Sequence, residues 1–157
     1  MLLEPKILVL RDPRESVNKC TLTPLRGRPD VHIERYRPDK PLMAEGRILL
    51  DAEGPVLTAD DGWEAVGLLV VDSSWRRLPT LRRIVNGPFV PRSLPLLRSA
   101  YPRASREEGV DPKNGLASIE ALFAAVALLW GADPTLLDHY AHRGLFLSLN
   151  PELECPS

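Results

Sequence analysis

The sequence has little cysteine, almost no net charge and no long hydrophobic run. Its two cysteines, Cys20 and Cys155, lie far apart and form no CxxC pair. That speaks against a disulfide-stapled scaffold and a thiolate metal site, and it fits a reducing, cytoplasmic setting. The formal net charge is -1 over 157 residues, so overall charge gives no evidence for nucleic acid, and any RNA contact must come from a local basic patch. The longest apolar run, Ala121 to Trp130, is too short to cross a bilayer. The first five residues lack the basic flank and apolar run of a signal peptide. No GxGxxG or P-loop pattern occurs. Ser73 and Ser74 have no catalytic histidine signature nearby, and His139 and His142 have no further residues placed to complete a metal site.

What is present is a core-forming composition, 44% hydrophobic, punctuated by 16 prolines that exclude long helices from the first hundred residues. The length favours one compact domain, here 1–150, with a loose tail over 151–157. Lys6 to Leu10, Val31 to Tyr36 and Gly46 to Leu50 read as strands, and Arg92 to Leu97 as a further short one. Thr58, followed by Asp60 and Asp61, starts a short helix that ends near Gly67. The strand Leu68 to Val71 follows at once. Trp75 to Val85 forms a short amphipathic helix with Pro79 in its first turn. Ser99 to Gly115 is a long polar loop. Ser118 to Trp130 is a helix stopped by Gly131, and Asp133-Pro134 restarts a last one. Helices alternating with strands predict an α/β sheet covered by helices.

Two segments carry chemistry. Gly67-Leu-Leu-Val-Val-Asp72-Ser-Ser-Trp75 is an apolar run that ends in a carboxylate, two hydroxyls and an indole. Ligand sites in open α/β sheets lie at such strand ends. Asp72 reads either as a ligand contact or proton acceptor or, by spacing alone, as a cap for the next helix. Trp75 reads as a pocket wall or as core packing. In the second segment, Gly115-Leu-Ala-Ser118-Ile-Glu120-Ala121, Ser118 is a plausible cap and Glu120 suits the first-turn dipole with or without a function. Arginines 76, 77, 82, 83, 92, 98, 103 and 106 cluster in one stretch, which reads as phosphate contacts or as a solvated face.

These residues resemble a family. Val71-Asp72-Ser73-Ser74-Trp75 resembles the D-C-S-W motif of the ribosome-biogenesis aminocarboxypropyltransferases that modify small-subunit ribosomal RNA. It is also similar to the D-G/T-x-W motif of DTW-domain tRNA-uridine aminocarboxypropyltransferases. Gly115 to Ala121 is similar to their G-L-S-T-L-E-A and L-S-C-V-E-A segments. Asn18-Lys19-Cys20-Thr21 resembles K-K-C-[ST], and Leu94 to Ala100 resembles L-P-x-L-x-A-A. The resemblance runs from Lys6 to Leu145, with Ser73 in place of the usual Cys and no N-P-x-N-Y-G segment.

It implies a SPOUT-like fold with a C-terminal trefoil knot, and S-adenosylmethionine as donor with no metal. It implies transfer of the 3-amino-3-carboxypropyl group to a nucleobase nitrogen in rRNA or tRNA. A SPOUT-type methyltransferase and a catalytically silent RNA-binding or ribosome-assembly protein are the alternatives. Under the resemblance Asp72 and Glu120 are the catalytic carboxylates. Ser74, Trp75, Arg76, Leu94, Leu97, Leu116, Ala117 and Ser118 hold the donor, and Arg11, Lys19, Arg76 and Arg77 take RNA phosphates. The expected partner is RNA and not a membrane, and the expected state is a monomer, with a dimer as the alternative.

Overall fold

The chain's most apolar strands pair side by side at the centre of the molecule. In a computed structural model that describes residues 2–15, 20–102 and 115–154, a five-stranded sheet has the order β2-β1-β5-β4-β7. The strands are β1 (Ile7–Arg11), β2 (Val31–Arg35), β4 (Ile48–Leu50), β5 (Leu68–Asp72) and β7 (Val90–Arg92). Every pairing in this sheet is parallel. Two-residue strands β3 (Leu42–Met43) and β6 (Val85–Asn86) form a separate parallel pair. The α/β expectation holds.

Parallel sheets are covered on both faces, so their central strands are apolar throughout. β1 and β5 are buried at all five positions. Ile7, Val9, Leu68 and Val70 face the larger core, with α2 (Ser118–Trp130). Leu8, Leu10, Leu69 and Val71 face a smaller core that includes Leu81 of α1 (Leu78–Arg82), Tyr36 and Val85. α2 is buried from Ser118 through Val126, as a helix through a core must be. Gly131 ends it at φ 101°, a left-handed backbone that side chains rarely adopt. α3 (Arg143–Leu149) closes the chain's helical part.

Several expectations need correction. Residues 94–97 are not a strand. The strand there is β7, which ends at Arg92, followed only by a bridge from Ser93 to Val56. The helix expected after Thr58 is a 3-10 turn, Ala59–Trp63, whose Asp61 carboxylate accepts from the Thr58 N–H at 2.9 Å. Asp133 caps a 3-10 turn, Pro134–Leu137, instead of a full helix. The tail is not loose from Pro151. Pro151–Leu153 forms a turn and Leu153 is buried in the larger core. Cys155 lies outside the described residues.

Candidate active site

All five parallel strands point the same way, so their C-terminal ends share one edge. The register places Arg11 of β1 opposite Asp72 of β5. Because side chains alternate, both lie on the face of Val9 and Val70, toward α2. Arg11 and Asp72 are both buried, and their Nε and Oδ2 lie 3.6 Å apart. Ser118, the first residue of α2, donates its hydroxyl to Asp72 Oδ1 at 2.7 Å. The Cys20 thiol donates to Oδ2 at 2.9 Å. Arg11 also donates to Cys20 Sγ at 3.0 Å and to Thr23 Oγ1 at 3.2 Å, and Thr21 Oγ1 accepts from the Ile119 N–H at 3.0 Å. Burial, and then the neighbouring Asp72 charge, push the Cys20 thiol above its ordinary range.

Glu120 lies two residues further along α2 and is fully buried. Its Oε1 accepts from the Ser99 hydroxyl at 2.6 Å and the Ala117 N–H at 2.8 Å. Its Oε2 accepts from the Ala100 N–H and the Tyr140 hydroxyl, each at 2.9 Å. The segment 99–101, the start of α2 and the turn before α3 are therefore tied to one carboxylate. Ala117, not Ser118, holds the N-cap position, and Glu120 at the third helical position reaches back to it.

The segments around Cys20, Asp72, Ser99 and Ser118 thus meet at the N-terminus of α2. The structure does not treat the two carboxylates alike. Glu120 ties segment 99–100 and the residue before α2 to one carboxylate. Asp72 accepts from the Cys20 thiol and the Ser118 hydroxyl, at the sheet edge where Val71 and Ala121 begin a cleft.

That cleft is lined by Leu50, Val70, Val71, Leu78, Leu94 and Ala121, with Asp51, Arg92 and Ser93 as its polar groups. It is tight, with a closed space of about 30 Å³, room for one water. Leu94 also packs in the larger core. Leu97 and Leu116 are buried in the larger core, as is Ala117. Trp75 lines no part of the cleft and is not core. It is 39% exposed, with the Arg76 guanidinium 5.4 Å from its ring centroid. Ser74 is exposed, and its carbonyl accepts from the Arg77 and Leu78 N–H groups at the start of α1. Leu50, Asp51 and Ser93 were not among the expected site residues, and Arg92 was read only as a phosphate contact. Their signal was available, since each lies at the C-terminal end of a strand.

The arginines sort by partner. Arg77 donates to Asp12 at 3.0 Å, Arg82 pairs with Asp51 at 3.0 Å and Arg92 with Asp61 at 3.2 Å. Burial would raise the Asp12 carboxyl, but the Arg77 hydrogen bond, the Arg14 N–H and the charges of both arginines together outweigh it and hold Asp12 below the ordinary carboxylate range. Arg11 is buried against Asp72, and Arg77 is engaged by Asp12. Lys19, Arg103 and Arg106 lie outside the described residues. A basic cleft of about 410 Å³ opens instead beside β2, lined by Arg26, Arg35, His32 and the edge of Arg11, with Glu15 as its one carboxylate. Arg26 and Arg35 are exposed and form no ion pair among the described residues. The sequence reading missed both, because they lie outside the conspicuous arginine cluster.

No group of residues able to hold a metal occurs among the described residues, and no described helix is long and apolar enough to cross a membrane. No protein-family model matches the sequence, and no curated protein matches it. A solved structure does. The SAM-dependent rRNA:acp-transferase Tsr3 from Vulcanisaeta distributa is 26% identical, with a TM-score of 0.71, and the match covers 96% of this chain and 80% of that one.

Proposed function

We propose that this protein transfers the 3-amino-3-carboxypropyl group of S-adenosylmethionine to a nucleobase nitrogen in structured RNA, with ribosomal RNA favoured over tRNA. One observation carries the reading. Four separated segments with the resemblance's motifs converge on the start of α2, in a chain similar to an rRNA acp-transferase. We assign the SPOUT-like arrangement with a C-terminal trefoil knot to the same reading. It is supported by the parallel sheet and by Phe146 and Leu153 of the last helical segment, which pack into the larger core.

In this structure the cleft is too small for the donor, but its lining matches one in kind: Leu50, Val70, Leu78 and Leu94 are apolar walls, and Asp51, Arg92 and Ser93 are polar groups. When bound, S-adenosylmethionine supplies a sulfonium with an activated methylene on its amino-acid arm. A nitrogen–carbon bond forms, a carbon–sulfur bond breaks, the electron pair stays on sulfur in methylthioadenosine, and the nucleobase nitrogen loses a proton. Asp72 is the carboxylate assigned to take that proton, held in place by Ser118, Cys20 and Arg11. Glu120 keeps segment 99–101 and the start of α2 in register around it. Arg26 and Arg35 carry RNA phosphates beside the site, and positioning supplies most of the rate.

The test is the by-product. Incubation with S-adenosylmethionine and ribosomal RNA should release methylthioadenosine. Release of S-adenosylhomocysteine would mean methyl transfer, and RNA binding with neither product would mean a silent RNA-binding protein. Mass spectrometry of nucleosides from cells with and without the protein identifies the base.

A further inference from the structure

The far end of α2 carries a second surface with the opposite character. α2 is 13 residues long, so its C-terminus lies about 20 Å from Asp72. There the chain turns at Gly131 and meets the Ala59–Trp63 turn and the Pro151–Leu153 turn. Gly62 fits only because it has no side chain, since a Cβ there would fall on the Leu129 carbonyl. This close approach fixes the direction of the next residue. Trp63 stands 88% exposed.

Trp63 is the wall of a groove of about 650 Å³, with Leu128, Leu129, Trp130 and Leu153 along its floor. Among the described residues, the charged residues that line the groove are Asp60 and Glu152. Glu64 adds a third exposed carboxylate beside Trp63, and none of the three forms an ion pair among the described residues. The C-terminus of α2 adds its negative dipole end. Trp130 already has an ammonium against its ring, with Lys6 Nζ 5.0 Å from the centroid. Indole faces, carboxylates and a helix C-terminus all favour cations and repel phosphate.

We propose that this groove binds a Lys/Arg-rich extended segment of a partner protein, a basic side chain stacking on Trp63 while others meet Asp60, Glu64 and Glu152. The proposal does not rest on the transferase reading. It gives the molecule a face for a basic protein at one end of α2 and the carboxylate site at the other. Aromatic anchors dominate such interfaces, so Trp63 carries most of the affinity.

The experiment uses the full chain and an end-capped dodecapeptide of alternating Arg and Gly, followed by fluorescence anisotropy and by the three tryptophan indole N–H signals. The expected result is saturable binding that weakens with salt and moves the Trp63 and Trp130 signals but not Trp75. Trp63→Ala should weaken it about tenfold, and Asp60→Asn with Glu152→Gln severalfold. These positions are exposed, so the variants should fold. Equal binding by an alternating Glu and Gly peptide would overturn the proposal. So would unchanged affinity in Trp63→Ala, or movement of Trp75 instead. A concentration-dependent dimer abolished by Trp63→Ala would assign the groove to a second copy, and competition by an RNA hairpin at this groove would assign it to nucleic acid; either outcome overturns it.

Discussion

Asp72 and Glu120 lie on two sides of one helix start, both buried and both hydrogen-bonded, yet they are built differently. Glu120 is held by two backbone N–H groups and two hydroxyls drawn from segments 99–100, 117 and 140. Backbone donors cannot turn away, so this carboxylate is a fixed fastener. Asp72 accepts from a thiol and a hydroxyl and lies 3.6 Å from a guanidinium. Side-chain partners of this kind can swing aside when a substrate arrives. The contrast teaches that burial alone does not say what a carboxylate is for.

Removing the fastener should have the largest effect. Glu120→Ala orphans four donors, two of them buried at about 1–3 kcal/mol each, so a loss of about 2 kcal/mol or more is expected, a large share of a small domain's stability. Urea unfolding measures it. A midpoint near that of the unmodified chain would erase the distinction between the two carboxylates.

Asp72→Asn should lower methylthioadenosine release about 100-fold or more. It should also destabilise, because Arg11 is left buried without its counter-charge. The double variant Arg11→Met with Asp72→Asn separates the two effects. Stability should recover while turnover stays low. If turnover recovered with stability, Asp72 would be a second fastener and the comparison would fail.

The smallest effect sharpens the comparison at Cys20. Its thiol is held above the ordinary range by burial and by Asp72, so less thiolate is present at any given pH. Alkylation of Cys20 by iodoacetamide at pH 8 should therefore be slower than that of a free thiol and climb at higher pH. Asp72→Asn should speed it severalfold by removing the neighbouring anion. Glu120→Gln should leave it unchanged. Peptide mass spectrometry separates Cys20 from Cys155. Equal acceleration in both variants would mean that general loosening, not local charge, controls the thiol.

Much of this was legible in the chain and some was not. The strand ending at Asp72 and the helix Ser118–Trp130 could be read directly, because an apolar run, a polar stop and Gly131 are local signals. The motif segments pointed to a common site before any contact was known. Trp75 could not be placed from the sequence, since the same indole suits a pocket, a core or a surface stack with Arg76. The arginines misled, because a cluster along the chain says nothing about which guanidinium finds a carboxylate. Arg77 found Asp12, while Arg26 and Arg35, unremarkable in sequence, line the basic cleft.

By itself, then, the sequence determined the α/β alternation, the apolar central strands and the helix that runs through the core. Each follows from the period of side chains along a few residues and from glycine or proline at their ends. Only the tertiary structure decided that Arg11 faces Asp72 across a parallel register, that Glu120 is spent on loops, and that Trp63 stands bare beside three carboxylates. Those outcomes depend on distances between segments far apart in the chain, and a hydrogen bond or ion pair acts over a few ångströms of space, whatever the separation in sequence.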